Sequence, residues 1–112
     1  MNDARGFVED VIEQHRGDKD GAALLDDLVK LHMRQTPDAR EELVAVYRAW
    51  LHSGDPVRAD WGVALVRRLG LTEELPLLER LLSDIEAGRS PLPTYFRQFL
   101  VPTIEELKKA GE

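Results

Sequence analysis

A chain of 112 residues with a net charge of −6 and no cysteine holds one domain's worth of sequence, and it excludes disulfides, thiolate metal centres and cysteine nucleophiles. The negative balance argues against nonspecific nucleic-acid binding, which needs clustered Lys and Arg to displace counterions from phosphate. No run of about 18 apolar residues is present to span a bilayer and no charged-then-apolar leader precedes a cleavage site, so a cytoplasmic protein without membrane contact is the expectation.

Taken in chain order, the pattern is helical throughout, with no strand-like alternation. Phe7, Val8, Val11, Ile12 and His15 define a short amphipathic helix ending near Gly17. Leu24, Leu25, Leu28, Leu31 and His32 give residues 22 to 34 an apolar stripe, and Gln35-Thr36 separates it from the next helix, residues 37 to 52. There Thr36-Pro37 reads as a cap followed by a proline at the first helical position, where no N–H is needed. Leu43, Val44, Val46, Tyr47, Trp50 and Leu51 make a broad stripe. Asp55-Pro56 repeats the cap-plus-proline start. Val57, Trp61, Ala64, Leu65 and Leu69 then recur at three- and four-residue steps, and Gly70 supplies a left-handed stop. Ala59, Val63 and Val66 fill the other side, so this helix should be covered by neighbours on two sides. Gly62 costs it about 1 kcal/mol relative to Ala, which close approach of another helix would offset.

Thr72 is expected to cap the following helix, with Glu73 and Glu74 in its first turn, where the macrodipole favours negative charge. Leu75, Leu78, Leu81, Leu82 and Ile85 form its stripe, Pro76 is tolerable in its first turn, and Gly88 ends it. Residues 89 to 93 are a Pro-containing connection. Tyr95, Phe96, Phe99, Leu100, Ile104 and Leu107 follow at helical spacing, with Pro102 expected to kink or split the helix. The fold class is therefore all-α: six to seven short antiparallel helices in a helical-hairpin stack or compact bundle, the first and last acting as lids.

The segment from Asp55-Pro56-Val57-Arg58 through Ala64-Leu65 and Leu69-Gly70 to Leu75-Pro76-x-Leu78 and Leu81-Leu82-x-Asp84 resembles a HEAT repeat of the short, HEAT-like variety, with a looser echo over residues 22 to 52. The resemblance implies a helical scaffold in which the Ala-Leu pair faces the partner helix and Asp55 and Arg58 tie adjacent repeats together. Two departures stand out: the first helix is about one residue longer than the short form, and bulky Trp61 replaces a usual small Ala, which implies wider helix spacing.

Charge is unevenly spread, since residues 1–42 carry 11 acidic and 6 basic side chains whereas residues 43–112 carry 10 and 9. Glu9, Asp10, Glu13, Asp18, Asp20, Asp26 and Asp27 would form a negative surface suited to a basic partner, or a solvated face. Arg67, Arg68, Arg80, Arg89 and Arg97 are expected to be solvated or paired with Glu73, Glu79 and Asp84, with an anion-binding basic strip as the alternative. His15, His32 and His52 lie on three helices without metal-ligand spacing, and Glu9 and Glu13 share a face with no Glu-x-x-His to complete a metal set. Ser53 and Ser83 read as capping residues. Arg16-Gly17-Asp18 matches an adhesion tripeptide too short to carry weight. No catalytic residue, cofactor site or metal site is expected.

Aromatic side chains are the better lead, because Trp and Tyr bury much area while keeping a polar handle and dominate interface hot spots. Tyr47, Trp50 and Trp61 on neighbouring helices, and Tyr95 with Phe96 at the start of the last, are candidate partner contacts, alongside Glu9, Asp10 and Glu13. The leading expectation is a noncatalytic protein–protein interaction module that binds a protein or peptide along one helical face, with self-association as a variant. A small acidic immunity or inhibitor protein that neutralises a basic toxin is the alternative, and an enzyme with a carboxylate/His site assembled by the fold is the third.

Overall fold

The computed structural model describes residues 4–17 and 21–111. Among these, every regular element is helical: α1 (Ala4–Gln14), α2 (Ala22–Met33), α3 (Pro37–Leu51), α4 (Pro56–Leu69), α5 (Leu75–Glu86) and α6 (Arg97–Ala110). Short 3-10 turns at Thr72–Glu74 and Thr94–Phe96 lead into α5 and α6. Among the described residues no helix is long and apolar enough to cross a membrane.

The helix ends follow local chemistry. Thr36 Oγ1 accepts from the Ala39 N–H at 3.3 Å, and the Asp55 carboxylate accepts from the Val57 N–H at 2.9 Å. Ser53 supports the tight connection before α4 by donating to the Trp50 carbonyl at 2.7 Å and accepting from the Asp55 N–H at 3.2 Å. At the far end of α4, Gly70 sits at φ 62°, with its N–H on the Arg67 carbonyl and the Leu71 N–H on the Val66 carbonyl. That pair of bonds is the Schellman arrangement that satisfies the last carbonyls of a helix.

Two expectations are corrected. Thr72 does not cap α5: residues 72–74 form a 3-10 turn, α5 starts at Leu75, and Glu74 points inward, 2% exposed. Its carboxylate receives the Arg48 guanidinium of α3 through both oxygens, with Nε 2.8 Å from Oε2. A nonlocal partner thus outcompetes solvent and the helix dipole. Of the two outcomes expected at Pro102, a kink or a split, the split does not occur: the last helix runs unbroken from Arg97 to Ala110, while Tyr95 and Phe96 fall in the preceding 3-10 turn. The buried Thr103 hydroxyl donates to the Phe99 carbonyl at 3.0 Å next to that proline.

Packing joins the helices as three hairpins: α1 with α2, α3 with α4, and α5 with α6, the α3–α4 contact being the most extensive in the molecule. Successive hairpins stack through α1 on α3, α2 on α4 and α4 on α6. The pairing is offset by one helix from that suggested by the repeat-like segment, since the backbones of α3 and α4, and of α5 and α6, approach more extensively than those of α4 and α5. Gly62 is the reason α3 and α4 come so close: a Cβ there would lie 3.2 Å from the Tyr47 carbonyl oxygen and 3.4 Å from the Leu51 side chain.

Apolar burial divides into two clusters that meet at α4. Val8, Leu24, Leu28, Leu43, Tyr47, Trp50 and Leu65 belong to the cluster of the first two hairpins. Ala59, Val63 and Val66 turn the other way, toward Leu78, Ile85, Phe96, Leu100 and Leu107. Both faces of α4 are covered, as its all-round apolar pattern requires.

Candidate functional site

The aromatic candidates separate by burial. Tyr47 is 1% and Phe96 0% exposed, so both are core residues of this fold, and Trp50 at 7% is nearly so. The Tyr47 hydroxyl meets His32 Nδ1 at 3.3 Å inside the core. Burial pushes the Tyr47 phenol well above its ordinary pKa, so it stays a neutral hydrogen-bonding group. Trp50 stacks edge to face on the partly buried Trp61, with centroids 6.1 Å apart. Tyr95, by contrast, is 57% exposed and lies edge-on to Phe99, itself 37% exposed.

The acidic candidates are mostly engaged within the molecule. Glu9 of α1 grips Arg58 of α4 through both oxygens, at 2.9 and 3.3 Å, while the same guanidinium lies 5.7 Å from the Trp50 ring and 5.2 Å from the Trp61 ring. Arg58 is therefore a clasp between α1 and α4. Glu13 pairs with Arg16, Asp27 with His15 at 2.6 Å, and Asp26 with Arg68. Asp10 is exposed, and Asp18 and Asp20 lie outside the described residues. Four of the seven expected acidic residues, Glu9, Glu13, Asp26 and Asp27, are thus paired within the molecule. Of the basic residues of the later half, Arg89 pairs with Asp84 as expected, Arg67 with Glu106, Arg68 with Asp26 and Arg97 with Glu86, while Arg80 is exposed. Glu73 and Glu79, the other two expected partners, are exposed.

What the fold assembles is a groove. α2 and α6 both pack on α4, yet among the described residues they make no extensive contact with each other, so a strip of α4 between them stays open. The resulting cavity of about 530 Å³ takes Asp60, Val63, Ala64, Arg67 and Arg68 from α4, positions that recur at helical spacing on one face. Leu25 closes one side from α2, and Gln98, Phe99, Pro102, Thr103 and Glu106 line the other from α6. Leu25, Val63, Ala64, Phe99 and Pro102 supply an apolar strip, and the rest of the lining is polar. At one end the Arg67–Glu106 pair bridges α4 to α6 and the Arg68–Asp26 pair bridges α4 to α2. At the other end Asp60 has no hydrogen bond or ion pair among the described residues. Partial burial pushes its carboxyl above the ordinary value.

Sequence reasoning singled out neither Asp60 nor Phe99 as a site residue. The available signal was an acidic side chain between Ala59 and Trp61, on a helix whose pattern requires cover on both sides. A smaller cavity of about 370 Å³ lies between the end of α1 and the start of α2, with Trp61, Ile12 and Leu24 in its walls, so Trp61 lines a concavity that Trp50 and Tyr47 do not reach. Among the described residues no three His, Asp or Glu side chains converge as metal ligands would. No family model, curated protein or solved structure matches this chain.

Proposed function

We propose that the protein is a noncatalytic interaction module whose stacked helical hairpins, a HEAT-like scaffold in character, hold a segment of a protein partner along the groove between α2 and α6. The observation that carries this reading is the groove itself: an apolar strip of α4 between two helices, flanked by charged and polar side chains, with Phe99 in its wall edge-on to the exposed ring of Tyr95. A groove of this form suits an amphipathic helix, which lays its apolar face on the strip and anchors at successive turns. Exposed aromatic side chains at its edge supply the large contact area typical of binding hot spots.

The test compares wild-type protein with Ala64→Arg, which obstructs the strip from a partly exposed position, and with Arg80→Ala, an exposed change on α5. Each is used as bait in lysate of the protein's own source, and its melting temperature is measured in parallel. A stoichiometric partner that survives Arg80→Ala and disappears with Ala64→Arg, at closely similar melting temperatures, is the expected result. Retention of the same partner by Ala64→Arg would move the binding surface elsewhere.

A further inference from the structure

We propose that the groove's occupant is an amphipathic helix carrying a Lys or Arg that pairs with Asp60 while its apolar stripe rests on Leu25, Ala64 and Phe99. The proposal rests on the reading of the groove as a docking site and adds the chemistry of what docks.

The argument is one of charge complementarity. Four charged side chains line the groove, and three are already satisfied: Arg67 by Glu106, Glu106 by Arg67, and Arg68 by Asp26 of α2. Asp60 is the remaining charge. It stands at the edge of an apolar strip where water is partly displaced, and its elevated pKa records the cost of holding that charge there. A carboxylate so placed disfavours an apolar or acidic occupant and gains from an ammonium or guanidinium, because removal of the remaining water strengthens the Coulomb attraction.

Position adds direction. Asp60 lies seven residues before Arg67 on α4, and Phe99 lies seven before its ion-pair partner Glu106 on α6. Asp60 and Phe99 therefore share the open end of the groove, about 10 Å, or two helical turns, from the closed one. A partner helix spanning that length sets an apolar residue against Ala64 and carries its cation roughly one turn away, at Asp60 beside Phe99. At the other end the paired arginines and glutamate offer no free charge.

The probe is a phage-displayed library of helical peptides on an Ala/Gln framework with one face randomised, selected separately on wild type, Asp60→Asn and Ala64→Arg. Wild type is expected to enrich an apolar stripe accompanied by Lys or Arg. Asp60→Asn is expected to enrich the stripe without the basic preference, and Ala64→Arg to enrich neither. A synthetic peptide from the wild-type selection should bind Asp60→Asn at least about tenfold more weakly. Its affinity for wild type, but not for Asp60→Asn, should fall on acidification as the carboxylate is protonated. A stripe without basic preference on wild type would overturn the assignment of Asp60 and leave the docking reading standing. Failure to enrich any helix, or enrichment indifferent to Ala64→Arg, would overturn both. Sedimentation equilibrium completes the test: a dimer abolished by Ala64→Arg would make a second copy of this chain the occupant and overturn the proposal.

Discussion

His32 shows how one side chain couples the first two hairpins to pH. It is 5% exposed, with its ring against the Tyr47 hydroxyl, and Arg40 of α3 donates to the carbonyls of His32 and Met33 at 3.2 and 2.9 Å. Desolvation by burial, and then the nearby Arg40 charge, hold its pKa below the ordinary 6.5. The unfolded chain therefore binds this proton more readily than the folded one, so the contribution of neutral His32 is present above about pH 6.5 and is lost as pH falls toward the folded pKa. Urea midpoints of wild type should drop between about pH 7 and pH 5. The drop should be shallower for His32→Gln. Equal slopes would assign the acid sensitivity to other groups. Asp60 has the opposite sign: its raised pKa means that the folded state gains relative stability as pH falls through it. Asp60→Asn should accordingly leave neutral-pH stability unchanged or raise it by less than about 0.5 kcal/mol. Stability kept or gained while ligand affinity is lost is what separates a binding residue from a structural one.

At the scale of elements, the α3–α4 crossing depends on the absence of a side chain at position 62. Ala is the better helix former by about 1 kcal/mol, so an isolated α4 would gain from Gly62→Ala. In the folded protein the added Cβ would meet the Tyr47 carbonyl at 3.2 Å, on backbone that cannot swing aside as a side-chain tip can. Overpacking of this kind costs about 1–3 kcal/mol, so a net loss of about 1 kcal/mol is expected in chemical denaturation. A more stable variant would show that α3 and α4 have room to separate. The Glu74–Arg48 pair is a second constraint between elements, holding the 3-10 turn before α5 against α3. Removing the cation leaves a carboxylate that is 3% exposed without its partner. Breaking a fully buried pair costs about 3–5 kcal/mol, and since the Arg48 side chain is half-exposed we expect Arg48→Ala to cost about 2 kcal/mol. Double substitution with Glu74→Leu should recover part of that loss.

Across the whole molecule, cohesion is uneven. α3 places six residues in the core, whereas α1 contributes only Val8 as a fully buried side chain and is otherwise held by the Glu9–Arg58 clasp and partly buried apolar residues. Local opening free energies follow local contact, so α1 should detach before the stack unfolds. Native-state hydrogen exchange should find α1 amides opening at lower free energy than those of α3 and α4. Arg58→Ala should lower the α1 value by about 1 kcal/mol, removing a charge-assisted pair and its contacts with two indole rings. Identical free energies for α1 and α3 would show that the molecule opens only as one unit.

Much of this architecture is legible locally. The caps at Thr36 and Asp55, the left-handed Gly70, the two-sided burial of α4 and the close approach at Gly62 all depend on residues within about one helical turn, or on the mere presence of a glycine, and a linear pattern carries such information. Which helices pair was decided only in three dimensions. The repeat-like segment groups α4 with α5, yet the better-packed partners are α3 with α4 and α5 with α6, because closest approach depends on where small side chains and complementary ridges meet. The same holds for the candidate site. Arg48 and Glu74 are 26 residues apart, Arg67 and Glu106 39, Arg68 and Asp26 42, and Arg58 and Glu9 49, so no local pattern could distinguish these paired charges from Asp60. Periodicity identified Tyr47, Trp50 and Phe96 as apolar-face residues, but only the covering of those faces by neighbouring helices made them core and left Tyr95 and Phe99 open to solvent.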